Sequence, residues 1–370
     1  MKYSIRFSIS LLAAWLMIAN IGLFAQNVNK QNFPVKKSAN RVELALPQVN
    51  GYALLRCDFH THTVFSDGLV WPTFRVYEAW KGGLDVLAIT DHIEYRPYKK
   101  YSGDDLNASY EIALPVADEL GIMLVRGTEI TRKQGILGHF NGLFIKDANP
   151  INTPDPELSI KTAWEQGAYI TYNHPAWALD TCLLTDFQNS MIDKGYVKGI
   201  EVFNNDEYYP RALSWCIDKG LGVYSASDVH ACLADDFGIH GSGSARSEFR
   251  PMTFVFVKEK SLDAVKDAMF KGLTLAYFDG NVAGAEKLLA SLFLASIKVE
   301  KLSQTAKQIS CRFSNISGIP YNISIDNKKY TLDGKSAILI NLGVGLKSVD
   351  CMVENMHCYE FKHPVVQLSL

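Results

Sequence analysis

The sequence has no surplus of charge of either sign. Its 37 Lys and Arg stand against 39 Asp and Glu, a net charge of −2. That argues against a nucleic-acid footprint, which needs a basic excess on one face, and against an acidic or disordered chain. No C-x-x-C pair occurs, so the seven cysteines do not spell a thiolate zinc site. No G-x-S-x-G stretch occurs, which removes the nucleophile elbow of serine hydrolases. Internal repeats and low-complexity tracts are also missing.

What is present is ordinary globular material: 370 residues, 48% apolar and 21% charged, enough for one large domain plus a small one. The beginning reads differently. Lys2 and Arg6 precede an almost unbroken apolar run from Ile9 to Phe24, closed by Ala25 and Gln26. A positive start, an apolar stretch and a small residue at its end describe a signal peptide over residues 1–25. The run is short for a membrane span, which takes about 20 residues. No stable span is therefore expected after cleavage, and the folded part is expected in the periplasm or outside the cell. Residues 26–48 read as a flexible leader. Export permits disulfides, yet most cysteines sit in apolar runs and read as buried free thiols. A bridge from Cys311 to Cys351 or Cys358 stays open.

Seven apolar segments follow: 54–60, 85–92, 122–129, 138–145, 168–174, 197–204 and 221–228. Their near-continuous apolar character suits strands buried on both faces. Helical patterns at 72–82, 106–120, 157–167, 183–194, 209–219 and 261–271 lie between or after them. Strands alternating with helices predict a parallel sheet, and seven such strands favour a barrel over residues 49–285. Beyond about 290 the segments alternate, with Asn, Asp and Gly turns and no useful helix. That predicts a small antiparallel β-sandwich over 290–370.

The position of the polar residues points to chemistry. Of nine His, six fall at predicted strand ends, five of them at the C-terminal end, while His139 opens its strand. In an α/β barrel the C-terminal strand ends converge on one face. His60 and His62 are two apart and share a side of an extended chain, and Asp67 can fold back from the loop after them. Thr90-Asp91-His92, Gly127-Thr128-Glu129, Gly138-His139, Asn173-His174-Pro175 and Ser227-Asp228-Val229-His230 supply the rest. A carboxylate such as Glu129 can bridge two cations with its two oxygens. Burying so many polar groups without partners costs several kcal/mol each. Nitrogen and oxygen donors without thiolate suit Zn, Mn or Fe.

The series HTHTVFSDG, TDH, GTE, GH, NHP and SDVH, in that order over residues 52–280, resembles the PHP family, the polymerase and histidinol phosphatase domain. The resemblance implies a distorted seven-stranded (β/α) barrel with two or three metals. It implies a first site of His60, His62, Glu129 and Asp228. Glu129 then bridges to a second site with His139 and His174, and Asp67, His92 and His230 make a third. The longer stretch DFHTHTVFSDGLVWPT, with DHIEYRP, is similar to an exported phosphodiesterase branch. The expected chemistry is hydrolysis of a small-molecule phosphoester by a metal-bound hydroxide. Asp228 or His230 would handle the leaving-group proton.

A phosphomonoesterase of the same family is the first alternative. An amidohydrolase-type enzyme is the second, although the bridging position holds Glu129 and no Lys sits at a comparable strand end. A carbohydrate- or lipid-binding surface protein does not need so complete a ligand set, and no polymerase partner is expected. Arg132 and Arg246 are candidate substrate contacts, because Arg can fork onto phosphate oxygens. Arg246 sits with His240 and Arg250 in a Gly/Ser-rich loop, 231–250, that reads as a lid. Trp71, Trp80, Trp164 and Trp177 read as core.

Overall fold

The computed structural model describes residues 41–234 and 249–370. The signal segment, the leader up to residue 40, and His240 and Arg246 of the expected lid lie outside the described residues. Among the described residues, no helix is long and apolar enough to cross a membrane.

All seven expected strands form: β1 (Ala53–Asp58), β2 (Val86–Ile89), β3 (Met123–Thr131), β4 (His139–Leu143), β5 (Tyr169–Tyr172), β6 (Val197–Asn204) and β8 (Gly222–Ala226), with a short β7 (Glu207–Tyr208) between the last two. The four residues of β2 and the five of β8 are buried throughout, as the continuous apolar runs require. The six expected helices form as α1 (Pro72–Lys81), α3 (Ala108–Leu120), α4 (Pro156–Glu165), α5 (Asp186–Asp193), α6 (Pro210–Lys219) and α7 (Leu262–Phe270), and a four-residue α2 (Lys99–Ser102) precedes α3. Pro opens α1, α4 and α6, where its missing N–H costs nothing.

The sheet is larger and less parallel than the alternation suggested. Twelve strands belong to it, because β9 (Met252–Val257), β10 (Thr274–Phe278), β11 (Asn281–Ala283) and β18 (Met356–His357) join one edge. β4 runs antiparallel to both β3 and β5. The cause is the link from Thr131 to His139, a short hairpin; a parallel return needs a crossover of about a dozen residues or more. β8 pairs in parallel with β6. Toward β9 and β10 it is held by side chains: Ser225 N donates to Thr253 Oγ1 at 3.0 Å, and Val223 N to Thr274 Oγ1 at 3.3 Å.

The C-terminal strands form two antiparallel sheets. One is β12-β13-β16 (Ile297–Gln304, Gln308–Asn315, Ala337–Gly343), the other β15-β14-β17-β19 (Lys328–Leu332, Tyr321–Ile325, Ser348–Val353, Val365–Ser369). Alternation places Ile309, Cys311 and Phe313 of β13 inward, as one-sided burial demands. A helix, α8 (Glu286–Ser296), leads into β12; its all-round apolar stretch hid it in the sequence.

The expected cut near residue 290 falls inside α8, and Arg41–Leu370 is one compact unit. Phe254 and Leu275 of the large sheet share a core with Phe313, Tyr321 and Val353, and β18 pairs with β11. The leader is shorter than expected, because Leu44 enters that core and Arg41 donates to the carbonyls of Trp80 and Leu84. Cys311, Cys351 and Cys358 keep free thiols, so the bridge left open among them does not form.

Candidate metal centre

The nine expected ligands converge. His60 and His62 follow β1 with ring centroids 5.0 Å apart. Asp67 folds back over them, with Oδ1 3.3 Å from His230 Nε2 and 3.5 Å from His92 Nε2. The fold-back depends on Gly68: a Cβ there would lie 2.7 Å from the His62 carbonyl carbon and the Thr63 nitrogen. Glu129, in β3, is fully buried and faces two ways. Its Oε2 lies 3.5, 3.6 and 2.6 Å from nitrogens of His60, His62 and His92. Its Oε1 lies 3.3 Å from His139 Nδ1 and 3.4 Å from His174 Nε2. Asp228 Oδ1 sits 3.1 Å from His60 Nε2 and 3.0 Å from His62 Nε2. His174 and Asp228 hold left-handed backbone, φ 26° and 51°, conformations that cost energy in non-glycine residues and cluster at functional sites.

Whether cations fit is answered by the hydrogen bonds that are missing. Among the described residues, His60 Nε2, His62 Nε2, Asp67 Oδ1, Glu129 Oε2, His139 Nδ1, His174 Nδ1 and Asp228 Oδ1 are buried without a hydrogen-bond partner. Native interiors carry only a few such atoms per hundred residues, and seven of the fourteen among the described residues fall in this one cluster. At His60, His62 and His230 one ring nitrogen is already committed. His60 Nδ1 donates to Glu201 Oε1 at 2.8 Å, and a carboxylate only accepts, so in the neutral ring Nε2 carries the lone pair that faces inward. His62 Nδ1 lies 3.3 Å from Ser66 Oγ, whose own proton goes to Asp91 Oδ1. His230 Nδ1 donates to the Asp228 carbonyl at 2.7 Å. A His fixed by a second hydrogen bond while presenting its free nitrogen is the habit of metal ligands.

Four overlapping groups of donors lie close enough to share a cation: His62–Asp67–His92–His230, His60–His62–Glu129, His60–His174–Asp228 and Glu129–His139–His174. The expected second and third sites stay together, with His62 joining the third. The expected first site is divided between two groups.

The charges support one another. Burial alone would push Glu129 up, but His92 and His60 outweigh it and hold the carboxyl well below its usual range. Burial would likewise lower His230, yet Asp67 and Asp228 raise it to about 9. For His62 burial dominates, aided by the neighbouring His230 and His92, and its imidazole is held well below its usual value.

The cluster opens into a cleft of about 490 Å³. Arg132 reaches its rim, but its guanidinium is engaged by Glu94, the Thr153 carbonyl and Ser159 Oγ, so it is not a free fork. Lys133 lines the same cleft and is exposed. Arg250, placed in the expected lid, is a correction: it is buried, with Nε 3.1 Å from Asp58 Oδ2. Trp177 is another. It is half-exposed at the cleft, its ring 5.5 Å from His139 and 5.7 Å from His174. Trp71 is half-exposed too, whereas Trp80 and Trp164 pack against the core.

Several supporting residues escaped the sequence reading. Glu201 also accepts from His174 N at 2.9 Å, and Asn173 Nδ2 donates to Glu129 Oε1 at 3.0 Å. Asp91 accepts from Thr63 N at 2.7 Å, and Asp58 from Ser227 Oγ at 2.5 Å. Asp58, Asp91 and Asn173 lie at or just past strand ends, the one signal that marked them, whereas Glu201 sits inside β6 and carried none.

No family model matches the sequence. A solved structure does: a two-domain protein of Bacteroides vulgatus containing a predicted PHP-like metal-dependent phosphoesterase. It superposes with a TM-score of 0.83 at 35% identity, covering 90% of this chain and 99% of that one. Among curated proteins, a 5'-3' exoribonuclease of Haemophilus influenzae is 35% identical over 94 residues, 25% of this chain. An uncharacterized protein of Methanocaldococcus jannaschii is 38% identical over 77 residues, 21% of this chain. The matched stretches span 30% and 34% of those two relatives.

Proposed function

The chain belongs to the PHP family, and on that premise we propose that it is an exported, metal-dependent phosphodiesterase acting on a small-molecule phosphoester. One observation carries the reading: the two oxygens of buried Glu129 face two separate sets of imidazoles, amid donor atoms left without a hydrogen bond. That arrangement suits two or three divalent cations, Zn, Mn or Fe, with Glu129 between them. Bound there, the cations would polarise the phosphoryl group and bring the pKa of a water molecule toward about 7.

The chain's own groups do the rest. Glu201, Ser66 and the Asp228 carbonyl hold the imidazoles of His60, His62 and His230 in the ligating tautomer. Asp228 and His230 are proposed to handle the leaving-group proton through an intervening water, since His230 is among the more exposed members of the cluster, at 36% of its side chain. The preference for a diester rests on the cleft's positive charge. With Arg132 engaged, Lys133 is the available side-chain cation on the described rim. One such cation suits the single charge of a diester better than the dianion of a monoester. Export is supported by Lys2, Arg6 and the apolar run from Ile9 to Phe24.

The test uses purified protein loaded with Mn or Zn and a panel of aryl phosphomonoesters and phosphodiesters. Turnover of diesters above monoesters, lost on chelation, is expected; activity that survives complete metal removal would overturn the reading. Fractionation of expressing cells, with N-terminal sequencing of the mature chain, tests export.

A further inference from the structure

We propose that Arg75 is a positioning residue for the metal centre, one that fixes the register between two chain segments that carry five of its nine candidate ligands. The first segment follows β1 and holds His60, His62 and Asp67. The second follows β8 and holds Asp228 and His230. The inference rests on the metal-centre reading above.

These segments are not ladder neighbours by virtue of their strands. β1 pairs with β2 and β9, and β8 pairs with β6. Past the strand ends they meet in a few backbone bonds: Asp228 N to His60 O at 3.0 Å, His62 N to Val229 O at 3.1 Å and Leu69 N to His230 O at 2.8 Å. Arg75 rises from α1 into this join and is fully buried. Its Nε and Nη2 donate to the His62 carbonyl at 3.1 and 2.9 Å. Nη2 also lies 3.2, 3.2 and 3.0 Å from the carbonyls of Val229, His230 and Ala231. One rigid plane thus gathers carbonyls from both segments. Nη1 donates to Glu78 Oε2 at 2.7 Å, and Glu78 Oε1 accepts from Leu233 N at 2.7 Å, so the counter-charge holds the second segment as well.

A guanidinium is the side chain for this task. Its five donors are fixed in a fork, whereas a lysine offers a single movable point. A buried ion pair is weak evidence for stability, since desolvation offsets most of the attraction. What Arg75 adds is geometry: His62 and His230 are bonded through their own carbonyls, so their imidazoles move if the join slips. The group Glu129–His139–His174 comes from β3, β4 and the end of β5 and has no bond to Arg75 among those above.

That asymmetry gives the test. Arg75→Lys and the charge-free pair Arg75→Met with Glu78→Gln are titrated with Mn or Zn by calorimetry, and bound metal is counted after dialysis. In the variants, the sites that use the two segments are expected to weaken roughly 10–100-fold, the range for losing an outer support. The Glu129–His139–His174 site keeps its affinity. Amide exchange in metal-free protein is expected to quicken at His62 and Leu69 ahead of the β3–β5 strands, a readout independent of metal. Unchanged affinities, or a uniform loss at every site, would overturn the proposal. Failure of both variants to fold would do so too, because Arg75 would then serve the fold and not the ligand set. A wild-type chain that takes up no cation, yet shows quickened exchange in Arg75→Lys, would sink the metal reading and leave the join standing.

Discussion

Two buried polar regions of this molecule are treated in opposite ways. In the C-terminal β layers, Asn315 is buried and fully answered. Its Nδ2 donates to the carbonyls of Ile319, Leu332 and Asp333, and its Oδ1 accepts from Ser317 N and Oγ. At the large sheet's ligand end, His60, His62 and Glu129 are just as deep, yet each keeps an inward atom unbonded. A polar group buried for architecture is closed by its neighbours, since leaving it open costs about 1–3 kcal/mol. A cluster left open implies that something outside the polypeptide closes it. Asn315 should therefore matter to stability and Glu129 to chemistry.

The hardest way to break the comparison is Glu129→Ala. Activity toward an aryl phosphodiester is expected to fall to background while circular dichroism stays native; an active variant would remove the bridging carboxylate from the account. His62→Ala is expected to behave alike. A step smaller is Glu201→Gln, which keeps the shape but weakens the acceptor at His60 Nδ1. Metal affinity measured by calorimetry should drop roughly 10–100-fold, and equal affinity would make Glu201 a mere filler.

Asn315→Ala sharpens the other half. Denaturant melts should show a loss of about 1–3 kcal/mol with kcat of the folded fraction unchanged. A fall in kcat instead would tie the β layers to the site.

The smallest effect is one of pH. Burial lowers His230, but Asp67 and Asp228 outweigh it and raise the imidazole to about 9, above an unfolded value near 6.5. In chelated protein its contribution is fully present below that unfolded value and lost as pH rises through about 9. The chelated melting temperature should therefore decline over that window, and the metal-loaded one should decline less, because a ligating imidazole carries no such proton. Parallel curves would contradict this.

Much of the centre was legible because chemistry at strand ends leaves short local words: HTH, TDH, GTE, NHP and SDVH each place a donor where an apolar run stops. The residues behind them were not. Glu201 stands 141 positions from the His60 it holds, and Arg75 reads as one charge on an amphipathic helix until the fold brings four carbonyls to it. Strand direction was hidden too, since the antiparallel β4 follows from loop length and not from its own composition. α8 was missed because apolar side chains such as Leu288 and the half-exposed Leu294 lie outside its buried face of Leu289, Leu292 and Phe293, which blurs the polar stripe that betrays an amphipathic helix. Trp177 reads as core by type; its exposure comes from the loop after His174.

The most direct test is anomalous diffraction from crystals soaked in Mn or Zn and collected at the metal's absorption edge. The account predicts at least two peaks, one on each side of Glu129, within bonding reach of Oε1 and Oε2 and of the imidazoles facing them. Crystals that bind metal only at the surface, with those donor atoms still unligated, would contradict it.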